Sequence, residues 1–472
     1  MMEVAARRAA EDAGASASLL ARLDAIAVVN VFCWPYRNPP GALAARLGAT
    51  PADLCYTTVG GNSPQSLVND TADRIARGET RLALLAGAEA VRTVMRAQKT
   101  GVSLAWSHGV DGTCTVVGDR REGTSAHEIA HGFQLPVQVY PLFENAIRAA
   151  RGWSIEAHRA QLGRLCAGLA AVAADNPYAW FRDRPAPEDL TTVTPQNRLV
   201  GFPYTKRMNA IIDVDQAAAV LMTSAGEARR LGIPEDRWVY VWGGGEANDK
   251  WLVSERVAYS HSPAIREAGR QALAAAGVGI ERIAHFDLYS CFPSAVQLGR
   301  DALGIAPDDP RPLTATGGLP YFGGPGNDYS MHGIAEMLPR LRGKADALGL
   351  VTALGWYVTK HAVGVYGGGP KPGPWVREDP KAAQARLDAE PSPAVVEEPP
   401  AGPATIETYT VVHDREGAPM RGIVIGRLDD GRRFLANTPD DRELLAALET
   451  REGVGVRGRV STADGQNRFT PG

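Results

Sequence analysis

The chain has 472 residues but only five cysteines, Cys33, Cys55, Cys114, Cys166 and Cys291, and no two of them form a CxxC pair. That scatter excludes a disulfide framework and a cysteine zinc site, and it fits a reducing cytoplasm. Long apolar runs are missing too. Nothing reaches the roughly 18 uninterrupted residues that a membrane span requires, so no span is expected. The start of the chain lacks the basic-then-apolar pattern of a secretory signal. Net charge is only -3 at pH 7, so neither nucleic acid nor an anionic membrane finds an electrostatic reason to be the main partner. A local basic patch for a phosphorylated ligand stays compatible with that balance.

What is present is apolar residue in quantity, 44% of the chain, enough for large buried layers. The length exceeds one ordinary core and points to two or three domains. Residues 3–13, EVAARRAAEDA, favour a helix. An α/β domain usually opens on a strand, so either a strand is missing before this helix or the start is helical by nature. AIAVVNVF (25–32) and LALLAGAE (82–89) read as buried parallel strands. Between them SPQSLVNDTADRIARGE (63–79) is a helix, with Ser63 and Pro64 in capping and first-turn places. A less regular stretch follows, about 98–205, with a helix at 154–176. Strand signals resume at 217–224 and 238–245. A helix at 264–277, a strand into a turn at 283–292, and a helix at 331–341 come next. The segments 347–355 and 361–367 read as a closing hairpin. This order predicts two related α/β halves with parallel sheets and helices on both faces.

Past residue 368 the composition changes. GGGPKPGPW and EPSPAVVEEPPAGP are Gly/Pro/Glu-rich and read as linker. Then come alternating strands at 405–413, 420–428 and 432–438, a helix at 440–449, and further strands from 454. Strand–strand–strand–helix–strand–strand is the order of an OB-type barrel. The organisation expected is therefore residues 1–232 as a first half carrying the 98–205 excursion, 233–367 as a second half, 368–403 as linker and 404–472 as a small barrel.

Four places in the first 370 residues resemble the thiolase superfamily. VGGNSPQSLVNDTADRIARGETRLALLAGAEAV (59–91) is similar to the nucleophile region, where a strand ends, a cysteine stands at the turn and a helix follows. A helix N-terminus lowers a thiol pKa and stabilises an oxyanion. Gly61 or Asn62 falls at that cysteine, and no cysteine occurs between Cys55 and Cys114. DVDQAAAVLMTSAGEARRLG (213–232) resembles the segment that opens the second half. DLYSCFPSAVQLGRDALGI (287–305) resembles the strand–turn–helix that carries a polar pair. Here Tyr289 and Ser290 replace that pair and Phe292 matches. TGGLPYFGGPGNDYSMHG (316–333) is similar to the loop with the family's histidine. Gly317, Gly318, Gly323 and Pro325 fall in register, and Gly324 stands at the histidine. TALGWYVTKHAVGVYG (352–367) covers the second cysteine, with Ala353 in its place.

The best-fitting subgroup is thiolase-like proteins with an added C-terminal domain, often labelled acetyl-CoA acetyltransferase. The resemblance implies an αβαβα fold with two similar halves. It places an acyl-CoA pocket between them, with the 98–205 region as the loop domain that grips CoA. Thiolysis needs a thiolate, a base and a second acid/base. All three positions here carry side chains without that chemistry, and a pocket lined by Asn62, Ser63, Tyr289, Ser290, Cys291, Gly323, Gly324 and His332 is left. The function implied is CoA or acyl-CoA binding in lipid metabolism, with a CoA thioester as ligand, no cofactor, and a monomer or homodimer as assembly. The alternatives are an acyltransferase with Claisen-type chemistry on Cys291 or His332, and a scaffold subunit docking through the barrel. Cys291 otherwise reads as a packed thiol and His332 as a core or capping residue. Asn62 and Ser63 read as caps, and Lys360 and His361 as a solvated hairpin edge. Gly244 and Gly245 read as a strand-end turn. HEIAH (127–131) has the spacing of a zinc helix with Glu128 as base. Gly132 breaks it and no third ligand is apparent, so zinc hydrolysis is set aside.

Overall fold

A computed structural model describes the whole chain, Met1–Gly472. The first half runs α1 (Met2–Asp12), β1 (Ala25–Val28), α2 (Pro39–Leu47), β2 (Asp53–Thr57), α3 (Ser63–Ala76), β3 (Leu82–Ala90), α4 (Val91–Thr100) and β4 (Thr115–Val117). The excursion carries α5 (Ala126–Ala130), α6 (Pro136–Ala150), α7 (Ile155–Asp175), α8 (Pro187–Thr191), β5 (Leu199–Gly201) and β6 (Tyr204–Thr205); β7 (Asp215–Thr223) and α9 (Ala225–Arg230) return to the first sheet. The second half is β8 (Tyr240–Asn248), α10 (Pro263–Ala276), β9 (Ile283–Asp287), α11 (Pro293–Ala302), α12 (Tyr329–Leu341), β10 (Leu348–Gly355) and β11 (Lys360–Gly367). After α13 (Pro380–Ala389) come β12 (Gly402–His413), β13 (Pro419–Leu428), β14 (Arg433–Asn437), α14 (Arg442–Thr450), β15 (Arg457–Ala463) and β16 (Gln466–Pro471).

Two sheets form the body, in the orders β4-β2-β1-β3-β7 and β8-β11-β10-β9. The first is parallel except for β7, which runs antiparallel to β3. In the second, β9 and β10 are parallel and β11 runs antiparallel to both its neighbours. Each half threads one helix into the layer between the sheets, α3 from the first and α12 from the second. Leu67 and Val68 of α3 and Met331, Ile334 and Met337 of α12 share a core with Leu85 and Val351 from the two sheets. Outside the first sheet α1 and α2 bury Ala6, Ala10, Leu43 and Leu47. Outside the second, α10 packs its alanines so closely that a Cβ at Gly243 or Gly245 would collide with the carbonyls of Ala272 and Ala268. The result is the five-layered, two-half thiolase arrangement. Gly244 and Gly245 lie mid-strand in β8, not in a strand-end turn: Gly245, like Gly243, admits the α10 backbone onto the sheet, and Gly244 faces the Asn69 side chain on the other side.

The C-terminal strands close on themselves in the order β12-β13-β14-β16-β15, with β15 and β13 both paired to β12. A closed five-stranded barrel with a helix between its third and fourth strands is the OB-type order. It is not a free appendage. Gly201 of β5 pairs with Val412, and Asn145 Nδ2 donates to the carbonyls of Phe202 (3.1 Å) and Tyr409 (2.8 Å). The Pro-rich segment before the barrel is packed rather than loose. Arg377 bridges Asp73 and Glu246, and Gln384 of α13 exchanges two hydrogen bonds with the backbone of Asn248.

Candidate functional site

The loop before α3 is held by the amino end of α12. Gly60 N–H donates to Asn327 Oδ1 (2.8 Å), Asn327 Nδ2 donates to the Asn30 carbonyl (2.9 Å), and Ser330 Oγ donates to the Gly61 carbonyl (3.0 Å). Asn62 and Ser63 do not cap α3 through their side chains. Asn62 already has helical angles (φ -72°, ψ -22°), whereas a side-chain cap needs extended backbone. Its Nδ2 donates to Ser66 Oγ (3.3 Å) and its Oδ1 is buried without a partner; Ser63 Oγ turns back to the Thr58 carbonyl (3.3 Å).

Gly61 has no side chain, and none fits. The Tyr289 hydroxyl and the Leu354 carbonyl oxygen occupy the volume its Cβ would take. Tyr289 is fixed there by its N–H, which donates to Thr352 Oγ1 (2.8 Å), and by an edge-on contact with Tyr329 at 5.4 Å. Burial pushes its phenol well up, so it stays neutral. Gly324 differs. A Cβ there would sit 3.2 Å from the Ile211 carbonyl and 3.4 Å from Leu319 Cδ2, a tight but workable fit. Ala353 is buried opposite Ala362, beside a void of about 10 Å³ that Tyr289 and Thr352 also line. Ser290 Oγ accepts from Leu319 N–H (3.2 Å), and Gly323 leans on Gln216. Below them Asp287 Oδ1 accepts from the N–H groups of Ala315 (2.9 Å) and Thr316 (3.1 Å) and fixes the turn into Gly317.

The two reserve catalytic candidates are chemically quiet. Burial pushes the Cys291 thiol up to about 12, so it remains protonated, far from the electropositive setting of a working nucleophile. Burial pushes the His332 imidazole down to about 3. Its Nε2 is 3.6 Å from Asp328 Oδ2, but burial and the nearby Glu89 push the Asp328 carboxyl well up. Burial disfavours the charged form of both partners, so this is not a strong ion pair, and an imidazole so hard to protonate is a poor base.

Lys360 and His361 correct the sequence reading. They are 3% and 4% exposed, because β11 is paired on both edges, to β10 and β8. Lys360 Nζ donates to the Val59 carbonyl beside Gly60 and has no carboxylate in ion-pair reach. Burial pushes its ammonium from 10.5 down to about 8, with Asp119 opposing weakly. The unfolded chain therefore holds this proton more tightly. The penalty on folding is full below pH 8, shrinks between 8 and 10.5 and is gone above. Lys360→Met, which keeps the apolar stem, is expected to raise stability by about 1–3 kcal/mol at neutral pH. Urea titrations at neutral pH and at pH 10.5 check it; an advantage that does not shrink with pH overturns it.

In the HEIAH segment both Glu128 oxygens are committed, to Ser254 N–H (2.7 Å) and Ser125 N–H (3.1 Å). His131 Nδ1 lies 2.9 Å from the His127 carbonyl, and its Nε2 accepts from Asn467 N–H (3.1 Å) in the barrel. The motif ties loop region to barrel. A cavity of about 740 Å³ lies away from these positions, walled by Val31, Cys33, Tyr36, Leu43 and Trp106.

The profile of the thiolase-like protein type 1 additional C-terminal domain matches residues 383–466. No curated protein matches the chain. Among solved structures, a monomeric SCP2-thiolase like protein type 1 from Mycobacterium smegmatis superposes with a TM-score of 0.86 at 38% identity, over 100% of this chain and 94% of that one. The Ltp2-ChsH2(DUF35) aldolase superposes with a TM-score of 0.57 at 18% identity, over 76% of this chain and 89% of that one, a likeness of fold alone. With 38% identity along its full length, the chain belongs to the SCP2-thiolase-like proteins of type 1.

Proposed function

We propose that this protein binds CoA thioesters in cytoplasmic lipid metabolism and does not cleave them by thiolysis. The observation that carries the second part is the packing at Gly61: a tyrosine hydroxyl and a backbone carbonyl fill the place of a thiol side chain. Gly324 and Ala353, at the other two family positions, supply neither base nor acid. The first part is supported by the thiolase layering and by the hydrogen-bonded loops of Gly60–Gly61 and Gly317–Gly318, which hold their shape without the catalytic side chains. Selection for chemistry alone would not explain ordered loops around an inert centre. The Mycobacterium smegmatis relative is monomeric, and we read this chain as a monomer too.

Calorimetry of the full chain with CoA and with acetyl-CoA tests the binding. Saturable heat with either supports it, and no binding to either ends it. Acetoacetyl-CoA cleavage is expected at the background rate; turnover abolished by Cys291→Ala would instead favour an acyltransferase.

A further inference from the structure

We propose that Lys360 is an acyl acceptor: its side-chain nitrogen takes the acyl group of a bound CoA thioester and keeps it as a stable amide. This rests on the thioester-binding reading and gives that site a reactive group of its own.

The geometry comes from two bare glycines. Lys360 opens β11 opposite Gly355 of β10. A Cβ at Gly60 would meet Lys360 Nζ at 2.6 Å and would also strike Asn62 Oδ1; a Cβ at Gly355 would lie 3.0 Å from Lys360 Cε and strike the same amide oxygen. The lysine nitrogen and the Asn62 oxygen therefore share one small space over the backbone of Gly60, at the amino end of the 14-residue helix α3. Nζ has a single protein partner, the Val59 carbonyl, and Asn62 Oδ1 has none. The resemblance puts the family's thiol at Gly61 or Asn62, and Tyr289 fills the space a side chain at Gly61 would take. Burial keeps the Tyr289 phenol neutral, so the amine available beside this position is the Lys360 nitrogen over Gly60. Burial brings its pKa down to about 8, so a minor but far larger share than in a solvated lysine is free amine near neutral pH, which is what an amine nucleophile needs.

The step balances without an oxidant or a second substrate. The amine nitrogen attacks the thioester carbonyl carbon. The C–N bond forms, the C–S bond breaks, and CoA leaves as thiolate, taking up the proton the nitrogen releases. The carbonyl oxygen gains charge at the positive end of α3. Asn62 Oδ1 accepts an N–H and aims the lone pair. The product carries no cation, so the modification also removes a buried charge.

The test is peptide-mapped mass spectrometry of the full chain incubated with acetyl-CoA. Six other lysines, Lys99, Lys206, Lys250, Lys344, Lys371 and Lys381, serve as internal controls in the same sample. Acetylation at Lys360 is expected to be about tenfold or more faster than at any of them, and to quicken as pH rises through about 8. Lys360→Arg should lose that one fast acetyl with the other six unchanged. Asn62→Ala should slow it while leaving the chain folded by circular dichroism. Lys360 reacting no faster than the six overturns the proposal, and this readout needs no variant to fold. Calorimetry on the same preparation separates the two claims. CoA binding with an unmodified Lys360 removes only the acceptor; an absence of CoA binding removes the reading beneath it.

Discussion

Arg433→Met is expected to lower stability by about 3–5 kcal/mol, the range for breaking a buried ion pair from one side. Arg433 begins β14 and is 0% exposed. Its guanidinium meets Glu407 with two nitrogens, at 2.8 and 2.7 Å. Its remaining donor group reaches across to the body and donates to the carbonyls of Ser254 (2.8 Å) and Arg256 (2.6 Å), while the plane lies over Tyr259 at 4.8 Å. One side chain thus joins the barrel to the loop after β8. Methionine fills the space but leaves Glu407 with Arg427 alone and leaves two buried carbonyls unmet. Burial pushes the Glu407 carboxyl up, yet the hydrogen bonds from Arg433 and Arg427 hold it below its usual range. The folded carboxyl binds its proton less tightly than the unfolded one. Its contribution is present above its ordinary 4.5 and is lost as pH falls through the lower folded value. Urea denaturation of wild type and Arg433→Met checks both parts: a wide gap at neutral pH that narrows in acid. A gap under about 1 kcal/mol, the scale of an exposed pair, would mean the contact contributes no more than surface salt bridges do.

Much of the architecture is legible in the sequence where one physical signal dominates. LALLAGAE is apolar from Leu82 to Ala88 because β3 is buried on both faces, and that unbroken run finds it. The helix from Ser63 is announced by Pro64 in its first turn and by the spacing of Leu67, Val68 and Thr71. The barrel is readable because its strands are rich in β-branched and apolar residues and the turns between β12 and β13, β13 and β14, and β15 and β16 carry Asp and Gly. Signals fail where two demands compete. DLCYT of β2 is only half-buried, beside the exposed β4, so its polarity does not look like a core strand. The helix α6 carries Pro141 in its interior, which reads as a break. Gly243–Gly245 looks like a turn because glycine is common there; the reason at Gly243 and Gly245 is the α10 backbone closing on the sheet, and at Gly244 the Asn69 side chain of α3, neither of which shows in the local pattern. At the site, bare positions are visible by register with a family, but what fills them is not. Tyr289 arrives from the turn after β9, and no local pattern says its hydroxyl ends at Gly61. Lys360 is missed for the opposite reason. Its charge argues for solvent, while the apolar HAVGVYG that follows has no polar face and marks a strand paired on both sides.

That packing sets the outcome of restoring the missing thiol. Gly61→Cys is expected to give no acetoacetyl-CoA cleavage above background and to cost about 1–3 kcal/mol, the range for forcing atoms into a filled core. The cost arises because the new Cβ must displace the Tyr289 hydroxyl and crowd the Leu354 carbonyl, and the carbonyl belongs to a central strand that yields little. Rate stays at background for a second reason. Catalytic groups act as a unit, and Gly324 and Ala353 still provide none. A double-mutant cycle with Tyr289→Ala separates packing from chemistry. Removing the tyrosine relieves its share of the clash and leaves the Leu354 carbonyl, so Gly61→Cys should cost less in that background without becoming neutral, with a coupling of at least about 0.5–1 kcal/mol in urea denaturation. Gly324→His is expected to be tolerated better, since the Ile211 carbonyl and Leu319 leave its Cβ a workable position. The order of difficulty follows from the packing: a Cβ at Gly324 is tight but fits, whereas one at Gly61 meets the Tyr289 hydroxyl and the Leu354 carbonyl. Cleavage well above background from Gly61→Cys alone, or no relief from Tyr289→Ala, would show that this tyrosine does not close the site.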